Sequence, residues 1–153
     1  MIVPPWLTCA EKEVGVMEIP GVEHNERILE YHRATTLRAT TDEVPWCSSF
    51  VCWCLEEVGM QSTRSAAARS YLEWGVPISP APYGAIAVLR RGAGEGSQGP
   101  EVLDAPGHVG FLIWISRTHV ALLGGNQNDC VGVGMFSRTL VIGLRWVHWQ
   151  EPS

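Results

Sequence analysis

Pro45-Trp46-Cys47-Ser48-Ser49-Phe50-Val51-Cys52-Trp53-Cys54-Leu55-Glu56-Glu57-Val58-Gly59 is the stretch on which the fold turns. Proline suits the start of a helix, where its missing N–H would have no partner. Phe50, Val51, Cys54, Leu55 and Val58 then recur at i, i+1, i+4, i+5 and i+8, a broad apolar face, and Gly59 ends it. The stretch predicts a helix that begins at a cysteine. Two more helices are predicted before it. Pro4-Pro5 leads into residues 6–14, stopped by Gly15, and Asn25 caps residues 25–34, where Ile28, Leu29 and His32 follow at helical spacing. An alanine-rich helix is predicted over residues 65–74, stopped by Gly75 with Pro77 beyond.

After Pro82 the period changes. Residues 85–89, 108–115, 119–123, 131–136 and 140–146 are apolar runs of strand composition. Ser116-Arg117-Thr118 reads as the tight turn of a hairpin between the second and third of them. Helices first and strands afterwards is an α+β order with an antiparallel sheet. The chain of 153 residues reads as one domain, residues 1–40 forming its helical N-terminal part. Residues 92–107, rich in Gly with Ser, Pro and acidic residues, read as a flexible loop ending beside His108.

Bulk composition narrows the function classes. With 46% hydrophobic and 18% charged residues the mix is that of an ordinary globular chain. No apolar run approaches the roughly 20 residues that span a bilayer. Met1-Ile2-Val3-Pro4-Pro5-Trp6 lacks the basic and apolar regions of a Sec signal. The expectation is a soluble protein made in the cytoplasm, with no membrane insertion. A net charge of −5 argues against a nucleic-acid partner, which asks for a basic face. Cys9, Cys47, Cys52, Cys54 and Cys130 are odd in number and irregular in spacing, so free thiols are expected and a structural metal is not.

Of the five, Cys47 alone stands at a predicted helix start. Unpaired N–H groups and the helix dipole there stabilise a thiolate, which should bring the pKa below about 8.5. The same N–H groups suit an oxyanion. Many cysteines are only small buried hydrophobes, and a lone histidine is usually one satisfied by a backbone carbonyl. His108 differs from His24, His32, His119 and His148 in its glycine setting, Gly107-His108-Val109-Gly110, which lets a substrate or another backbone approach. Opposite it runs Gly124-Gly125-Asn126-Gln127-Asn128. With the turn at 116–118, paired residue numbers sum to about 234, which sets Asn126 against His108. An amide there would hold the ring tautomer, the third role in a Cys-His-Asn site. Gln127 or Asn128 takes that role if the register slips.

These residues resemble a known family. Asp42-Glu43-Val44-Pro45-Trp46-Cys47-Ser48-Ser49-Phe50-Val51 is similar to the nucleophile motif of the CHAP and NlpC/P60 cell-wall hydrolases, and within them to a single-domain set associated with phages and prophages. Ala-Arg-Ser-Tyr-Leu-Glu-Trp-Gly at 68–75, Gly-His-Val-Gly-Phe at 107–111, Leu-Gly-Gly-Asn-Gln at 123–127 and Gly-Leu-Arg-Trp at 143–146 follow in the same order. The resemblance implies a papain-like α+β fold with N-terminal helices packed on a small antiparallel sheet. It implies peptidoglycan as partner and hydrolysis of an amide bond in its peptide stems, in the manner of an endolysin acting on the wall in the periplasm or outside after release or delivery. Cys47 would be the nucleophile, His108 the base and Asn126 the third residue, with Trp46, Gln127 and Trp74 touching substrate and Trp114 a further stacking surface. A holin or an immunity protein would be the genetic partner. No cofactor is expected. Some CHAP enzymes bind calcium through acids ahead of the cysteine, here Asp42 and Glu43, two side chains against the 6–8 oxygens calcium takes. Two departures stand out: Gly84-Ala85-Ile86 replaces the usual Gly-Asp-Ile, and the 92–107 loop is longer than usual. The alternatives are a secretion-delivered amidase toxin of the same fold, an inactive wall-binding module, and a deamidating or transglutaminating enzyme.

Overall fold

The structure, a computed structural model, describes residues 3–20, 24–40, 45–91 and 105–149. Three α-helices come first: α1 (Pro5–Glu11), α2 (Glu26–Arg33) and α3 (Cys47–Glu57). A 3-10 helix (Ala68–Glu73) and six strands follow: β1 (Val76–Pro77), β2 (Ile86–Arg90), β3 (Gly107–Ile115), β4 (His119–Gln127), β5 (Cys130–Ser137) and β6 (Val141–Trp146). The strands form one antiparallel sheet in the order β1-β6-β2-β3-β4-β5. The fold is α+β, as the element order predicts.

Local chemistry explains the helix ends. Asn25 caps α2, its side chain accepting from Arg27 N at 2.9 Å and donating to Met17 O at 2.9 Å. Gly59, just past the Val58 cap of α3, has φ +78°, the left-handed backbone that glycine takes without strain, while α1 stops at Glu11 and Gly15, at φ +101°, lies in the turn beyond it. α3 is wrapped almost completely. Cys47, Ser48, Ser49, Phe50, Val51, Cys52, Cys54 and Leu55 are all buried, and its two serines are satisfied by Ser65 O and His32 Nδ1. A helix apolar nearly all round is an interior helix, and α3 lies between the sheet and the other two helices. The expected helix over 65–74 is instead a short 3-10 helix. Its N-terminal side is held by side-chain turns: Ser62 Oγ accepts from Arg64 N and Thr63 Oγ1 from Ser65 N. Such short-range bonds compete with an α-helix.

Period-two alternation divides the sheet's two faces. Ile86, Val88, Val109, Phe111 and Leu123 point to the helices. Ala85, Ala87, Leu89, Leu112, Val120 and Leu122 point the other way, yet none is more than 2% exposed. Phe136 of β5 and Leu144 of β6 both pack on this second cluster, although three strands lie between β6 and β5. The sheet is therefore curled, and its concave face closes over a small core of its own. Leu89 pairs with His108, which places His108 on the concave face near the sheet's end.

Among the described residues no helix is long and apolar enough to cross a membrane. Asp42, Glu43 and most of the 92–107 segment lie outside the described residues.

Candidate active site

Cys47 is the first residue of α3, with Trp46 as N-cap. The residue is 4% exposed. Burial pushes its pKa up, against the opposing pull of hydrogen bonds from the backbone of Val109, Ser48 and Cys47 and the charge of Arg91. The sequence predicts the opposite direction, because helix position is readable from the chain and desolvation is not. Burial disfavours the thiolate more than the helix-start N–H groups favour it. The other four thiols, all free, are engaged elsewhere. Cys52 Sγ lies 3.0 Å from Tyr71 Oη, Cys9 and Cys54 hydrogen-bond to each other, and Cys130 Sγ donates to Gln127 O at 3.1 Å.

His108 is the second residue of β3 and 7% exposed. Its Nε2 lies 3.0 Å from Gln127 Oε1, and its ring centroid 5.3 Å from that of Phe136. Burial lowers its pKa most; the Gln127 bond raises it and Arg91 lowers it again. The imidazole is therefore neutral at neutral pH. The hydrogen bonds also fix which nitrogen carries the proton. Gln127 Nε2 donates to Leu122 O at 3.1 Å and to Gly132 O at 2.6 Å. Both amide protons are spent on carbonyls, so the amide oxygen must face His108, and an oxygen only accepts. His108 therefore carries its proton on Nε2 and keeps a lone pair on Nδ1.

The amide that reaches His108 is thus Gln127, in place of the Asn126 that straight counting selects. The sum of 234 does hold at Phe111↔Leu123 and Leu112↔Leu122. Beyond them β4 carries one extra residue: Gly124 pairs with Gly132, and Gln127 with Cys130. Asn126 takes up the extra length with φ +56°, a left-handed value asparagine tolerates. One inserted residue inverts the alternation and turns Gln127 onto the concave face. Asn128 and Asp129, at φ +53° and +60°, then turn the chain into β5. Gly124 makes room for the arrangement, since a Cβ on it would stand 2.7 Å from Gln127 Oε1.

Cys47 and His108 come to the same end of β3. The thiol reaches the backbone of Val109 from the helix side, while the imidazole of the preceding residue stands on the concave side. A cleft of about 480 Å³ opens on the imidazole side, lined by Arg90, Arg91, His108, Asn126, Gln127 and Asn128 among others. Cys47 is not among the lining residues. Two arginines escape the sequence reading. Arg91 directly follows β2, and its charge acts on both Cys47 and His108. Arg69 is fully buried, and its Nε donates to Pro106 O at 3.0 Å, holding the backbone that leads into His108. Its place in the 68–75 motif was the available signal.

The tryptophans need correction. Trp46 is fully buried, stacked on Tyr31 at 5.9 Å, with its N–H bonded to Glu18 Oε1 at 2.8 Å; it offers no face to a sugar. Gly125 lies against it, and a Cβ there would be 2.8 Å from the indole. Trp74 is 9% exposed, bonded to Gln61 O, and borders a separate groove of about 860 Å³. Trp114 is 51% exposed but lies six residues along β3 from His108, roughly 20 Å away at strand rise.

Among the described residues no three His, Cys, Asp or Glu side chains converge as a metal site. The chain matches no protein-family model and no characterised protein.

Proposed function

We propose that the protein is a papain-like cysteine hydrolase of the CHAP and NlpC/P60 kind that cleaves an amide bond in bacterial peptidoglycan. Cys47 is its nucleophile, His108 its base and Gln127 the residue that orients the imidazole. The observation that carries this reading is the double anchoring of the Gln127 amide, which leaves the Nδ1 lone pair of His108 unprotonated at the end of β3 where α3 also begins. A base held in one tautomer is the preparation that thiol activation needs. The five co-linear motifs supply the substrate class.

The pair rests as thiol and neutral imidazole, since burial opposes charge on both. Nδ1 takes the Cys47 proton around the end of β3 as sulfur attacks the peptide carbonyl. The backbone N–H groups of Cys47 and Ser48 face the oxyanion. The imidazolium returns its proton to the leaving amine, and water then hydrolyses the thioester to free acid and thiol. Gln127 accepts from Nε2–H throughout, so the ring need not turn between steps. The enzyme acts on the wall after release or delivery from the cell that makes it.

Purified protein should release soluble fragments from sacculi. Cys47→Ala and His108→Ala should abolish release with the fold intact by circular dichroism. Mass spectrometry of the fragments identifies the bond, whether muramoyl-amide or peptide. Undiminished release by Cys47→Ala would remove the proposal.

A further inference from the structure

We propose that Arg91 is an anion subsite of the reacting centre, and that the amide cleaved is flanked by a free carboxylate of the peptide. The inference rests on reading Cys47 and His108 as the reacting pair. The chain carries 16 Asp and Glu against 11 Lys and Arg, yet the cleft beside His108 inverts that balance. Its described lining residues include Arg90 and Arg91 and no carboxylate. Arg90 is drawn along the sheet, donating to Thr139 O at 3.4 Å. Arg91 is exposed and makes no ion pair among the described residues. Its backbone is held, with N donating to Pro106 O at 3.3 Å, two residues before His108. A cation anchored at its backbone, with no ion pair among the described residues, is placed to receive an anion from solvent. Arg91 and His108 line the same cleft, so an anion bound to Arg91 stands on the imidazole side of the reacting centre. Asn126 and Asn128 line the same cleft and add uncharged hydrogen-bonding groups. A peptide with a free carboxylate within about one residue of the scissile amide fits this chemistry. A peptide amidated at that carboxylate lacks the charge Arg91 answers.

The test compares alkylation of Cys47 by iodoacetate, which is anionic, and iodoacetamide, its neutral analogue, with Cys9 on α1 as internal reference and each thiol followed by peptide mass spectrometry. Dividing one rate by the other cancels any change in thiol reactivity itself. The iodoacetate-to-iodoacetamide ratio at Cys47 should fall roughly threefold to fivefold in Arg91→Gln at low salt, the size expected of one partly screened charge pair. It should survive in Arg91→Lys and stay constant at Cys9. Equal ratios at Cys47 in the parent and Arg91→Gln would overturn the subsite. Synthetic wall stem peptides in acid and amidated forms separate the two proposals. An Arg91-dependent ratio with neither peptide cut would leave the subsite standing and remove the peptidoglycan assignment. Equal cleavage of both forms with an Arg91-independent ratio would do the reverse.

Discussion

Replacing Gln127 by glutamate keeps shape and length, and on a catalytic-triad analogy it should strengthen the base by giving His108 a charged partner. The hydrogen bonds argue otherwise. The atom that becomes oxygen is the one that now donates to Leu122 O and Gly132 O. At neutral pH the variant loses two donors worth about 1 kcal/mol each and confronts two carbonyls with a carboxylate, roughly 1–3 kcal/mol more. A charge-assisted bond to His108 returns about 1 kcal/mol, which leaves a loss of about 2–4 kcal/mol. Protonating the new carboxyl restores one donor and cuts the loss to about 1 kcal/mol. The native state therefore holds that proton more tightly than the unfolded chain, and the carboxyl's native pKa rises above its ordinary value. Between the two pKa values the native state binds more protons, so stability is present at low pH and lost as pH rises. Urea unfolding of Gln127→Glu and the parent at pH 5 and pH 8 reads this directly. The gap should widen toward pH 8, and activity should fall with it. A variant as stable as the parent at pH 8, or a gap independent of pH, would refute the assigned amide orientation and with it the tautomer of His108.

Burial holds the pKa of His108 below the usual imidazole value, so the acid limb of kcat/KM against pH should lie below about 6.5. The same shift predicts that the parent loses stability as pH falls from about 6.5 toward the native pKa, because the unfolded imidazole takes up a proton there first. Denaturant midpoints across that range check it. Arg69→Met removes the bond to Pro106 O, which keeps the bond from Arg91 N, and should cost about 0.5–1.5 kcal/mol in urea unfolding. Gly125→Ala drives a methyl to 2.7 Å from Phe50 Cβ and 2.8 Å from the Trp46 ring, so it should destabilise by about 1–3 kcal/mol, with a lowered Tm.

Much of the fold was legible because its determinants are local. Asn25 caps a helix through its own side chain, Gly59 ends α3 through its own φ, and Ser116-Arg117-Thr118 closes a hairpin with Ser116 N bonded to His119 O, whereas α1 stops at Glu11, short of Gly15. The central helix announced itself by an apolar face so broad that only an interior position suits it. The rest was hidden for physical reasons. β1, two residues long and exposed, pairs only with β6 and carries no pattern of its own. Trp46 looked like a surface for sugar because it neighbours Cys47, but indole burial depends on Tyr31, Glu18 and Gly125, which arrive from three separate segments.

The candidate site divides along the same line. A cysteine at a helix start, and a histidine between glycines on a strand, could be read from the order of residues because helix capping and strand alternation act over a few positions. The sequence also narrowed the third residue to an amide among Asn126, Gln127 and Asn128. Only the tertiary structure shows which of them reaches His108. A single left-handed residue at Asn126 shifts the register by one, alternation has a period of two, and so Gln127 reaches His108. Desolvation likewise reverses the expected shift at Cys47, and packing of distant segments brings in Arg69 and Arg91. Both effects depend on what surrounds a group in space, which the order of residues along the chain does not record.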